Sequence, residues 1–491
     1  MISKKEEDSF DEVFTPIPDD FEEVAEEKIC ETVEEIKRGK KALLSGAVPH
    51  QFFSKKGKFM PSKLGGTLRT ICNIITLRDN DEIYVYNEEK GYYESNGKRK
   101  IREIVKKILR DEYRESYAKA TIDDITASTY TKRKNFVTPE FLIPVKNGVL
   151  DVRENPPKLL SHDPKYFFTS VMPVEYDPNA ACPRFEQFLE EILPNITDRF
   201  QIQEGFGNCL TSSTKFMIMF FLYGEGHNGK STLLNVLEAL LGEDNVSHAS
   251  LFQLAAGKWY VAELFGKRAN ICSDIGIKEM KYTGIIKSIT GEDYIIAEKK
   301  FKEPFKYRNS AKPWFSGNMA PYVYDDSDAF HRRFITIIFR QKFPIGGMKT
   351  IPSLWKEFTT PKELSGILNL ALKGYCRLNE QETFTGLESV EERRKKWNQL
   401  SDPLSLFLAT CVEYCDFVTK DDFYNSFKDY CAKHGLETIS KSLVGRRMTE
   451  LRTKEIYKRT EPDGKQKTCW LGISVKPEFL CRDEEENNPL E

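Results

Sequence analysis

No run of apolar residues in this sequence approaches the roughly 18 that a membrane-crossing helix needs; the longest spans only Phe216 to Tyr223. The amino terminus, MISKKEEDSFDE, has no apolar stretch after its lysines, so a secretory signal is not expected. None of the 11 cysteines forms a CxxC pair; the closest two, Cys411 and Cys415, are one helical turn apart, and the total is odd. This argues against a disulfide framework or a zinc site and predicts reduced, mostly buried thiols in an intracellular protein with no membrane partner. Net charge is nearly absent at −2, but residues 1–36 hold 14 acids and 3 lysines, which is −11 and leaves +9 for the remainder. An acidic segment over 1–40 with few aromatics predicts a disordered tail preceding a basic body. With 491 residues, 40% apolar and 30% charged, that body is a soluble globular chain with room for about three domains.

After the tail, residues 41–185 read as an α+β domain. DEIYVYNEEKGYYES (81–95) alternates as a hairpin does, and IREIVKKILRDEY (101–113) has the apolar spacing of a helix. CPRFEQFLEEIL opens a helix at Pro183. From there strands and helices alternate, the pattern of an α/β nucleotide domain over 186–397. Residues 398–491 read as helices followed by a strand, a charged turn and a strand, which predicts a winged helix.

The chemistry is densest at FFLYGEGHNGKSTLLNVLEALLG (220–242), where Gly224, Gly229, Lys230 and Ser231 match GxxxxGK[ST]. A strand run ends at Gly224, and Leu233, Leu234, Val236, Leu237, Leu240 and Leu241 form one face of a helix that Gly242 ends. In such a loop the backbone N–H groups of Gly224, Glu225, Gly226, His227, Asn228 and Gly229 cradle phosphate, and the helix amino terminus at Lys230, Ser231 and Thr232 points toward the anion. Lys230 is expected to reach the β- and γ-phosphates of ATP, and the Ser231 hydroxyl to ligate Mg²⁺. A carboxylate on a neighbouring strand is also needed, and Asp274 in KRANICSDIG offers one for Mg²⁺ or water. Asn318 in KPWFSGNMAP ends another strand-like run and is a candidate to position the attacking water. Arg332 and Arg333 precede a further strand; by themselves paired arginines are more often solvated surface charge.

In this order and spacing, GEGHNGKST, NICSDIG, FSGNMAP and DAFHRRFITIIF resemble motifs A, B and C and the arginine-finger motif of superfamily 3 helicases. IPVKNGVLDV, YFFTSVMPVEYDP, CPRFEQFLEEI and GFGNCLTSSTKFMIMFFLYG are similar to the segment preceding the ATPase in phage and plasmid primase-helicases and poxvirus-type NTPases. The resemblance implies an α/β, AAA+-like P-loop core in a hexameric homo-oligomer that hydrolyses ATP at subunit interfaces and translocates on single-stranded or forked DNA. It makes Lys230 and Ser231 the ligands of phosphate and Mg²⁺, Asp274 the motif B acid, Asn318 the sensor, and Arg332 or Arg333 the group that reaches a neighbour's γ-phosphate. One departure stands out: motif B often ends in two acids or Ser-Glu, and here it reads Ser273-Asp274. The family also places a DNA-contacting hairpin between motifs B and C, which maps to ITGEDYIIAEKKFKEPFKYRN (289–309) with Lys299, Lys300, Phe301 and Lys302 near its turn. Arg446 and Arg447 in the carboxy-terminal module are further DNA candidates. Primase-helicases carry a polymerase-like domain upstream, for which residues 1–80 are too short and acidic. The expectation is therefore a helicase that works with a separate primase or initiator, the competing reading being an origin-binding or loader ATPase that remodels DNA without processive unwinding.

Overall fold

A computed structural model describes residues 49–133, 139–275, 280, 283–298, 304–321, 323, 325, 327–343, 354–433, 438–451, 454–459 and 466–481. The acidic segment 1–40 lies outside them, as do Lys299, Lys300, Phe301 and Lys302. The chain forms two compact units: one takes the residues up to Tyr86 with Ser95–Thr131, the other Asn87–Glu94 and everything from Lys132.

The first unit is built from helices α1 (Pro61–Ile71), α2 (Gly97–Leu109) and α3 (Glu115–Ser128), with strands β1 (Ile74–Leu77), β2 (Glu82–Asn87) and β3 (Tyr130–Thr131). β1 pairs antiparallel with β2, Ile74 opposite Val85, and parallel with β3, Thr76 opposite Tyr130. Helical spacing explains the core, because Leu64 and Leu68 of α1, Ile101, Val105 and Ile108 of α2, and Ile122 and Ile125 of α3 all turn inward onto Ile83 and Val85. The helix expected over 101–113 starts earlier and stops at Leu109, where Arg110 takes a positive φ of 48° and breaks the helical path.

The second unit begins with an antiparallel sheet of β4 (Leu142–Val145), β5 (Gly148–Asp151) and β6 (Lys158–Leu160), followed by helices α4 (Pro183–Ile192) and α5 (Ile196–Cys209). A domain boundary at 185 is not what the fold adopts. Ile143, Val145, Leu150, Met172 and Val174 share one core with Phe185 and Leu189 of α4, so the residues from Lys132 belong to this unit.

Its centre is a five-stranded parallel sheet of β7 (Met219–Tyr223), β8 (Val246–Ser247), β9 (Ala269–Cys272), β12 (Lys312–Gly317) and β13 (Phe334–Ile338), arranged β13-β7-β12-β9-β8. Helix α6 (Lys230–Leu241) follows β7. The unbroken apolar run of β7 has a direct cause: Phe220 and Leu222 enter the core under α4, α5 and α6, whereas Met219 and Phe221 face a second core on the opposite side. A parallel sheet covered on both faces needs apolar residues at every position rather than at alternate ones. On the first side Phe220 stacks on Trp314 with centroids 4.1 Å apart.

On the second side lie α7 (Gly284–Thr290) and a hairpin of β10 (Tyr294–Ala297) and β11 (Phe305–Arg308), with Tyr294 opposite Arg308. The hairpin expected between motifs B and C is thus present, its tip lying among the undescribed residues. Helices α8 (Pro361–Gln381) and α9 (Val390–Ser401) lead to a module of α10 (Pro403–Cys411), β14 (Val412–Glu413), β15 (Phe417–Thr419), α11 (Lys420–Lys433), α12 (Lys441–Glu450), β16 (Lys454–Arg459) and β17 (Gln466–Leu471). The three longer strands order as β15-β17-β16, and the module has its own core of Leu404, Phe407, Phe423, Phe427 and Trp470. Its contacts still place it in the second unit. Among the described residues no helix is long and apolar enough to cross a membrane.

Candidate functional site

All five strands of the central sheet run the same way, so their carboxyl ends emerge together, and the loops there lie next to one another in the order of the strands. The glycine-rich loop 224–229 leaves β7 in the middle, Asn318 follows β12 on one side, and Phe339–Phe343 follow β13 on the other. Ser273 and Asp274 follow β9, one strand further out. Sites of α/β sheets form at this edge because the loops are free to carry polar groups while the strands stay rigid.

Lys230 is 7% exposed, and its Nζ donates to Gly224 O at 2.5 Å, Glu225 O at 2.8 Å and Asn228 Oδ1 at 3.0 Å. The loop therefore curls around its own ammonium group. Burial lowers the Lys230 pKa to about 8, with the carboxylates of Asp274 and Glu225 opposing the shift. Asn228, 3% exposed, donates through Nδ2 to Phe339 O at 3.3 Å. Phe343 N–H donates to His227 O at 2.9 Å, and Glu225 pairs with Lys342. The loop is thus latched to the segment after β13, a tie between positions over a hundred residues apart that no motif announces.

Two glycines are required by geometry. Gly224 has φ of 154°, and a Cβ there would lie 2.3 Å from Asn228 Nδ2 and 2.6 Å from Phe339 O. Gly229 has φ of 91°, and its Cβ would meet Ile192 Cγ2 of α4 at 2.7 Å. Among the described residues, the N–H groups of Gly226, His227, Asn228 and Gly229 donate to no protein acceptor. Together with the first turn of α6 they form a concave set of donors of the kind that holds phosphate oxygens, so the residues present fit a nucleoside triphosphate. Ser231 is exposed on that first turn and Thr232 half-buried.

Asp274 is exposed and adopts φ of 66°. Its N–H donates to Ser316 Oγ at 3.3 Å, and Ile275 N–H to Ser316 O at 2.9 Å, so β12 sets where the acid stands. Ser316 carried no signal in the sequence beyond lying two residues before Asn318. Asn318 is exposed at the same edge.

The two arginines part company. Arg333 is 7% exposed; its Nε donates to Thr290 Oγ1 of α7 at 2.8 Å and its Nη1 to Ala329 O. Arg332, in contrast, is exposed; its main-chain N–H donates to Asp328 O at 2.9 Å and its carbonyl accepts from Arg393 Nη1 at 2.7 Å. Of the pair expected to reach a neighbour, Arg333 is committed within its own subunit. Thr290→Val would leave a buried guanidinium N–H unpaired, a loss of about 1–3 kcal/mol. A denaturant midpoint for the second unit, read by its tryptophans, should fall accordingly while Arg332→Ala stays within about 0.5 kcal/mol of the parent. An unchanged midpoint in Thr290→Val would remove Arg333 from the structural class.

In the carboxy-terminal module Arg446 is exposed on α12, but Arg447 Nη1 pairs with Asp402 Oδ1 at 2.7 Å. Asp402 also caps α10 by accepting from Leu404 N–H, so the guanidinium of Arg447 ties two helices together. The pairing thus gives Arg447 a role within the module.

Residues 68–194 match a family described as D5 N terminal like, and residues 222–333 match one described as a family of unknown function. A protein of Acanthamoeba polyphaga mimivirus named as a helicase is 23% identical over 295 residues, 56% of this chain and 30% of that protein. A protein of African swine fever virus named as a primase is 25% identical over 152 residues, 29% of this chain and 16% of that protein. The resemblance to the phage and viral primase-helicase family is borne out. The matched stretches cover less than a third of the length of either viral relative. Among solved structures, the C-terminal region of NrS-1 aligns over 84% of this chain and 99% of its own at 12% identity and a TM-score of 0.43.

Proposed function

We propose that this chain is an ATP-driven DNA helicase of the superfamily 3 kind, assembling as a ring. The observation that carries the reading is the sheet order, which brings Lys230, Asp274 and Asn318 to adjacent carboxyl ends although up to 88 positions separate them in sequence. The loop donors and Lys230 hold the triphosphate, Ser231 and Asp274 hold the metal side, and Asn318 orients water. Magnesium bound with the triphosphate supplies charge neutralisation at the β- and γ-phosphates. A cleft of about 580 Å³ lined by Leu193, Asn195, Asp198, Ile338 and Arg340 has room for a base and ribose. It adjoins the loop through Leu193, the neighbour of the Ile192 that backs Gly229.

The β10–β11 hairpin is the element proposed to touch DNA. Tyr294 and Ile296 are exposed on one of its faces, and the guanidinium of Arg308 lies 4.8 Å from the Tyr294 ring centroid, a pairing of cation and aromatic that suits single-stranded backbone and stacked bases. The antiparallel strand pair β16–β17 after α12 supports a winged helix with Arg446 facing solvent. A strand-displacement assay on a forked duplex tests the whole reading. ATP-dependent release of the displaced strand is expected; ATP turnover with DNA binding but no displacement would replace the helicase by a loader or remodelling ATPase.

A further inference from the structure

The first unit carries a charged surface that the helicase reading does not use. Helix α2 is divided cleanly: Ile101, Val105, Ile108 and Leu109 are buried in the core of the unit, while Lys98, Arg99, Arg102, Lys106, Lys107 and Arg110 are exposed on the other side. Over 97–110 Glu103 is the single acid against seven cations. It pairs with Arg99 at 3.1 Å, and Arg102 pairs with Glu115 at 2.8 Å, both on the surface. Lys98 at one end and Lys106 and Lys107 at the other extend the row over about 14 Å at a rise of 1.5 Å per residue.

At its amino end the arrangement runs against what the helix needs for itself, whereas Lys106 and Lys107 in the last turn suit the dipole. Its first turn has no acid, and Asn96 makes no side-chain cap, yet Lys98, Arg99 and Lys100 stand at the end where the helix dipole is already positive. Folding gains nothing from cations there. An anionic surface outside the unit does.

We infer that the exposed face of α2 is a second nucleic-acid contact, one that grips the phosphate backbone of duplex DNA. The apolar face of α2 is spent on the core, so the helix has no hydrophobic side to insert into a membrane surface. No aromatic residue lies among the exposed positions of α2, so the face lacks the stacking platform by which proteins hold single strands. What remains is a face on which cations outnumber acids, and duplex presents the higher density of phosphate charge to it. The contact is independent of the proposed ATPase site and stands or falls separately from it.

The test uses the full chain carrying Lys98→Gln, Lys106→Gln and Lys107→Gln together, three exposed positions whose change leaves the core intact. Binding to a blunt duplex and to a single strand of the same length is titrated over a salt series without nucleotide. The duplex slope of log affinity against log salt should become shallower by about 0.9 per lost phosphate contact, roughly 2–3 for the triple variant. The thermal melt and the ATP turnover measured without DNA should match the parent. An unchanged duplex slope overturns the inference. So does a loss confined to the single strand, or a loss of binding to vesicles of anionic lipid while duplex affinity holds.

Discussion

Arg332→Ala is expected to bind ATP nearly as the parent does yet hydrolyse it slower by roughly 10³ to 10⁵, the range that arginine fingers contribute. Arg332 is the exposed member of the pair, whereas Arg333 is held by Thr290 and Ala329, so only Arg332 is positioned to leave its own subunit. In a ring whose sites are shared, an Arg332→Ala subunit has an intact phosphate loop and a Lys230→Ala subunit an intact arginine. Mixing the two should therefore restore part of the turnover, because some interfaces combine the sound half of each. Recovery is fractional, since random order in the ring also creates interfaces with one or both halves defective. Mixed oligomers that recover nothing would mean the arginine does not act across an interface. A defect in Arg333→Ala that tracks a lowered melting temperature, with Arg332→Ala fully active, would make Arg333 structural and leave neither arginine as a finger.

Lys230→Ala is expected to bring turnover below about a tenth of the parent value, with the fold retained. The ammonium is needed by phosphate, and its present acceptors, Gly224 O, Glu225 O and Asn228 Oδ1, lie on a loop at the sheet edge that water can serve once the lysine is gone. Retention of most of the turnover would count against the assignment. The pH dependence carries a second signature. The Lys230 pKa of about 8 lies below the ordinary 10.5, so between those values the unfolded chain binds more protons than the folded one, and stability from this group rises with pH across that window. Below about 8 the group is charged in both states and the full cost of burying it is present. A phosphate beside it favours the charged form, so ATP binding above pH 8 should take up protons, measurable by calorimetry in buffers of different ionisation enthalpy. Lys230→Ala should abolish that uptake.

Local pattern alone carries the strand, loop and helix over 219–241, because the both-sides-buried run of β7, the turn glycines and the leucine face of α6 each follow from residues close together in the chain. The same holds for the two arms of the β10–β11 hairpin and for the helical spacing of α1 to α4. The basic row of α2 was equally legible: seven cations against one acid over 97–110 is a count, and attention to apolar spacing alone passes over it.

What the sequence left open was decided by packing between distant segments. Every strand of the central sheet is largely buried, so nothing local states that β12 inserts between β7 and β9, yet that insertion puts Ser316 beneath Asp274 and Asn318 beside the phosphate loop. Arg332 and Arg333 are neighbours of the same type, and only the presence of Thr290 on α7 makes one a buried tie and leaves the other in solvent. Asp402 likewise pairs with Arg447 across 45 positions. The residues from Lys132 to 185 join the second unit because their apolar side chains complete the core under α4. Residue type and spacing thus determined which chemistry the chain carries, and burial against partners far along the sequence determined which of those residues are available to perform it.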